Sequence, residues 1–96
     1  MPKTIDQTYH MLIVEDDTDI LMGLEEYFEL EEYSVETAED GAEALQKMQD
    51  MDKCDVVLLD VMLPKKDGFE VLEESQEMGF SAPILMITAR GEQESK

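Results

Sequence analysis

Tryptophan is absent, histidine and cysteine occur once each, and only seven Lys and Arg stand against 25 Asp and Glu. The lone Cys54 excludes an intrachain disulfide and fits a reducing cytosol. As a nucleophile it would want a base, and His10 is the sole histidine. A small, partly buried residue just ahead of a strand accounts for Cys54 more simply. The charge deficit amounts to −18, which repels phosphate backbones and anionic membrane surfaces. Binding of nucleic acid or lipid by this chain alone is thereby excluded. Apolar runs stay far short of the roughly 20 residues a membrane helix needs. Met1 to Thr8 has one Lys and no apolar core, so no signal peptide is read there, and the cytoplasm is the expected location. A length of 96 residues allows one domain at most.

Against these shortages, 43% of the residues are hydrophobic, enough for a folded core under a very acidic surface. Three nearly unbroken apolar runs, Met11–Val14, Val56–Leu59 and Ile84–Ile87, have the pattern of parallel strands covered on both faces. A weaker strand is expected at Tyr33–Thr37. Helical spacing of apolar residues fills the gaps. In Thr18–Glu32 the stripe is Ile20, Leu21, Leu24, Tyr27, Phe28 and Leu30, with Asp17 or Thr18 as the cap. In Asp40–Met51 it is Ala42, Leu45 and Met48, with Asp40 as the cap. In Asp67–Met78 it is Phe69, Leu72 and Ser75 or Gln76, ending near Gly79. Met22, Met48 and Met86 are expected in the core. The order β-α-β-α-β-α-β predicts an α/β fold with a doubly wound parallel sheet and right-handed crossovers. No internal repeat, linker or second domain is visible.

In such sheets ligands gather at the carboxyl ends of the strands. The first strand there runs into Glu15-Asp16-Asp17, the third into Asp60 and the fourth into Thr88. Two carboxylates about 4 Å apart repel by roughly 4 kcal/mol at an effective dielectric near 20. Either one holds a proton or a cation lies between them. An all-oxygen donor set with room for water suits Mg²⁺ better than zinc. Asp is also common in ordinary turns and caps, and the chain holds 25 acids, so spacing alone leaves both readings open.

The segments Leu12-Ile13-Val14-Glu15-Asp16-Asp17, Val57 through Leu59-Asp60 to Gly68-Phe69, and Pro83-Ile84-Leu85-Met86-Ile87-Thr88-Ala89-Arg90-Gly91 resemble the three motifs of bacterial response regulator receiver domains. They occur in the family's order and cover the chain from Tyr9 onward. The resemblance implies a flavodoxin-like receiver topology and a two-component signalling role without enzyme activity of its own. It implies that Asp60 accepts a phosphoryl group from a phosphohistidine on a sensor histidine kinase. Asp16 and Asp60 would bind Mg²⁺ through carboxylates and Met62 through its backbone carbonyl, with Glu15 acting through water. Thr88 would be the hydroxyl that senses the acyl phosphate. Asp17 is assigned to helix capping.

The family pattern continues with a further helix and a fifth strand bearing a lysine and an aromatic switch partner, none of which is present up to Lys96. Residues 1–96 therefore read as a single receiver domain truncated before the fifth strand. Lys65, Lys66 and Lys96 do not match the position of that lysine, and the first two read as a solvated loop pair. The fourth strand becomes an edge, and self-association through it is expected. The alternative is a pseudo-receiver that only binds other proteins. A phosphohydrolase with Asp17-Thr18-Asp19 as its Asp-x-Asp motif fits poorly, since Asp17 does not follow the strand directly. A calcium loop fails because Leu21 stands at the next ligand position after Asp17 and Asp19.

Overall fold

The structure, a computed structural model, describes residues 8–63 and 66–87. Among the described residues four strands and three helices alternate: β1 His10–Val14, α1 Thr18–Leu30, β2 Ser34–Ala38, α2 Gly41–Asp50, β3 Val56–Asp60, α3 Gly68–Glu77 and β4 Ile84–Ile87. All strand pairings are parallel, in the order β2-β1-β3-β4. Each predicted strand and helix is present, with ends shifted by no more than two residues.

The sheet is covered on both faces, and two apolar clusters result. One gathers Leu12, Val14, Val57, Leu59 and Ala38 with Ala44, Met48 and Val71 from α2 and α3. The other joins Met11 and Ile13 to Leu21 of α1. Adjacent residues of β1 therefore serve opposite sides of the sheet, and Met11 through Val14 are all buried. This is why the strand reads as an unbroken apolar run.

Helix ends are chemically specified. Asp17, Asp40 and Asp67 are the three N-caps. Asp67 and Glu70 complete a capping box in which each side chain accepts the other's backbone N–H. After α3, Gly79 adopts φ 86°, and the N–H groups of Gly79 and Phe80 donate to the carbonyls of Gln76 and Ser75. After α1 the same Schellman pattern forms around Glu32, whose φ of 72° is one that glycine normally supplies.

The helix phases correct the expectations. In α3 the buried residues are Gly68, Val71 and Ser75, whereas Phe69 is 63% exposed, Leu72 is half-buried and Gln76 is exposed. In α2 Gly41, Ala44 and Met48 are buried, and Ala42 faces out. In α1 only Leu21 is fully buried. Leu30 is 76% exposed, and Met22 and Tyr27 also face outward. The close approaches at Gly41 and Gly68, where a Cβ would lie within 3.0 Å of neighbouring atoms, set which faces of α2 and α3 turn inward. Met48 is buried as expected, and Met86 is half-buried.

Candidate functional site

β1 and β3 are neighbours in the sheet, with Val14 beside Leu59. That register brings whatever follows Val14 next to Asp60. Glu15, Asp16 and Asp60 each offer a carboxylate oxygen, and these oxygens lie within 4.8 Å of one another. Glu15 and Asp60 are fully buried and Asp16 is half-buried, so the cluster faces solvent on the Asp16 side.

Local backbone ties hold the acids. The Glu15 N–H donates to the Ala38 carbonyl at 3.0 Å, extending the β1–β2 ladder by one residue. Glu15 Oε2 accepts the Asp17 N–H at 2.9 Å. Asp60 Oδ1 accepts the Met62 N–H at 3.1 Å. Asp17 itself turns to α1, where its Oδ1 accepts from the Asp19 and Ile20 N–H groups. It is a capping residue, and the Asp-x-Asp pattern of Asp17 and Asp19 is the first turn of a helix.

Three carboxylates this close repel strongly in a partly desolvated pocket. A divalent cation would offset that repulsion, and a cluster made only of hard oxygen donors fits Mg²⁺. Zinc chemistry finds no support here. His10 opens β1 and Cys54 precedes β3, so both lie at the amino ends of the parallel strands, opposite the acids. Cys54 Sγ donates to the Val56 carbonyl at 3.4 Å, and burial pushes its thiol pKa up, which suits a packing residue.

Lys66 differs from the expected solvated loop residue. It is part-buried and forms an ion pair with Glu74 of α3 at 2.8 Å, which raises its ammonium pKa. Thr88 and Lys65 lie outside the described residues. Gly68, part of the segment matched to the family, has a close contact that the motif alone does not specify. A Cβ there would come within 2.7 Å of the Asp60 carbonyl oxygen and 2.9 Å of the Val61 Cα. The Gly68 N–H also donates to the Val61 carbonyl at 2.9 Å. Only a residue without a side chain lets α3 begin directly on the end of β3. The signal in the sequence was the Asp-Gly step after an apolar strand.

The response regulator receiver domain model matches residues 11–96. This chain belongs to that family. As a receiver domain it is a signalling module, and its relatives agree in both sequence and fold. It is 46% identical over 82 residues to the transcriptional regulatory protein CpxR homolog of Haemophilus influenzae, covering 85% of this chain and 35% of that protein. It is 43% identical over 86 residues to the alkaline phosphatase synthesis transcriptional regulatory protein PhoP of Bacillus subtilis, covering 90% of this chain and 35% of that one. The receiver domain thus spans about a third of the length of these curated relatives. Among solved structures, the response regulator TrrA of Thermotoga maritima, in complex with Mg²⁺ and a beryllium fluoride, superposes with a TM-score of 0.80 at 34% identity. That match covers 93% of this chain and 76% of TrrA. No helix among the described residues is long and apolar enough to cross a membrane.

Proposed function

We propose that this receiver domain accepts a phosphoryl group on Asp60 from the phosphohistidine of a sensor histidine kinase, in a Mg²⁺-dependent reaction. The observation that carries it is the convergence of Glu15, Asp16 and Asp60 at neighbouring strand ends. An Asp60 carboxylate oxygen attacks phosphorus, the P–N bond to the kinase imidazole breaks, and that nitrogen leaves with the electron pair. With the other ring nitrogen of the phosphohistidine protonated, the products are an aspartyl phosphate and a neutral histidine. Asp60 Oδ1 is engaged by the Met62 N–H, which orients the carboxylate and directs its other oxygen to the nucleophilic role. Asp16 and Asp60 are the proposed metal ligands, joined by the Met62 carbonyl, and Glu15 acts through water. Bound there, Mg²⁺ neutralises charge on the transferring phosphoryl oxygens. The complex of TrrA with Mg²⁺ and a beryllium fluoride supports the same assignment by likeness. Thr88 is the proposed hydroxyl that reads the acyl phosphate. Residues 1–96 act in this scheme as a single receiver domain in the cytoplasm.

The test is incubation with Mg²⁺ and acetyl phosphate, followed by intact mass measurement. The wild type gains one phosphoryl group, and Asp60→Asn gains none. No gain on the wild type favours the second reading, a module that works only through protein contacts. One observation speaks for such contacts: among the described residues β4 is paired on one side only, and Leu85 on it is 55% exposed. Self-association through that edge is then expected. A clean monomer in sedimentation at roughly tens of micromolar, where exposed edges associate, rules it out.

A further inference from the structure

Gly41, the first residue of α2, is packed too closely for any side chain. A Cβ at Gly41 would lie 2.6 Å from Lys66 Cβ, 2.7 Å from Val71 Cγ2 and 2.8 Å from the Lys66 carbonyl oxygen. All three atoms belong to the entry and first turn of α3. None is the tip of a flexible chain, so a methyl group could be housed only by moving one helix start away from the other. The next contact in the series is Gly68, which abuts the Asp60 carbonyl oxygen and the Val61 Cα and hydrogen-bonds to Val61. The amino end of α2 therefore rests on the amino end of α3, and that rests on the residue proposed to carry the phosphoryl group.

Each of the two helices begins with an Asp-Gly step, Asp40-Gly41 and Asp67-Gly68. In both, the Asp caps the helix and the Gly permits the close approach. The far side of α2 is fixed independently: Lys47 Nζ donates to the Thr37 carbonyl at 2.8 Å and pairs with Glu36 at 3.3 Å, both on β2. The helix is thus anchored at one side and pressed against α3 at its start.

We propose that Gly41 is a positioning residue for Asp60, acting through Lys66, Val71 and Gly68 without touching metal or phosphate. This rests on the metal and phosphoryl role proposed for Asp60. Interfering with a residue that orients a ligand typically weakens metal binding by about 10–100-fold, and Gly41→Ala falls at the lower end because it acts at one remove.

The test measures Mg²⁺ affinity by calorimetric titration and acetyl phosphate labelling by mass, well below each variant's thermal midpoint. Gly41→Ala raises the Mg²⁺ Kd by about tenfold and slows labelling, with the folded state checked by circular dichroism. Gly23→Ala, a site where a Cβ meets nothing within 4 Å, leaves both unchanged. A purely structural role for Gly41 would lower the midpoint and leave the Kd at the wild-type value, and that result overturns the proposal. If Gly41→Ala does not fold, Lys66→Gly and Lys66→Ala replace it. Both lose the ion pair with Glu74, but only the glycine loses the Cβ that leans on α2. A higher Kd for Lys66→Gly than for Lys66→Ala supports the brace, and equal values overturn it. A wild type that binds no Mg²⁺ removes the proposed function and the inference together, whereas a binding wild type with an unaffected Gly41→Ala removes the inference alone.

Discussion

The Met62 backbone N–H donates to Asp60 Oδ1 at 3.1 Å, so the buried carboxylate at the end of β3 is held by the chain two residues beyond it. That bond fixes one oxygen and does nothing to neutralise the charge shared with Glu15 and Asp16. Charge removal at the cluster and cation binding there are therefore both expected to stabilise the fold. Mg²⁺ at a hundredfold its Kd contributes about 2.7 kcal/mol, which raises the thermal midpoint by about 10–20 °C in a domain of this size. Asp60→Asn melts higher than the wild type without metal and loses most of the Mg²⁺-dependent rise. Melting curves with and without Mg²⁺ check both.

Asp17 stands next to the acidic pair, yet its carboxylate accepts from two N–H groups of α1. Asp17→Ala costs about 1 kcal/mol through loss of the cap and leaves Mg²⁺ affinity within about twofold of wild type, a difference below ~0.5 kcal/mol. Chemical denaturation together with metal titration separates the two effects. A large loss of affinity would make Asp17 a ligand.

Val71 is fully buried between α2 and the sheet, whereas its neighbour Phe69 faces solvent. Val71→Ala destabilises by on the order of 2 kcal/mol. Phe69→Ala changes stability by less than about 0.5 kcal/mol despite removing a larger group. Urea midpoints for the two variants decide the phase of α3.

Glu32 closes α1 at φ 72°, a conformation that costs a residue with a Cβ roughly 1 kcal/mol or more. The Schellman bonds hold it there, and the edge-to-face contact of Phe28 with Tyr33 at 5.5 Å supplies the accompanying apolar closure. Glu32→Gly keeps those bonds without the strain and stabilises by about 0.5–1 kcal/mol. A rise in thermal midpoint of about 2–8 °C is the expected reading.

The alternation of elements was legible in the chain because it rests on local properties. Unbroken Val, Ile and Leu runs mark strands covered on both faces, and Asp17, Asp40 and Asp67 mark helix starts. The acids Glu15, Asp16 and Asp60 stood out for the same reason, since each follows such a run. Helix phase was not legible in α2 and α3. Both contain few large apolar residues, so Ala42 and Ala44, or Phe69 and Val71, offer competing stripes.

The sequence by itself therefore determined the strands, the helix starts and the family to which the chain belongs, all encoded in short contiguous segments. Tertiary structure alone decided that β1 lies beside β3, which brings a carboxylate oxygen of Asp60 within 4.8 Å of those of Glu15 and Asp16, 45 and 44 positions earlier in the chain. It also decided which helix faces turn inward. There the close approach of α2 to the start of α3 admits only glycine at position 41, and the approach of α3 to the end of β3 admits only glycine at position 68, because a crowded interior rewards fit before hydrophobicity.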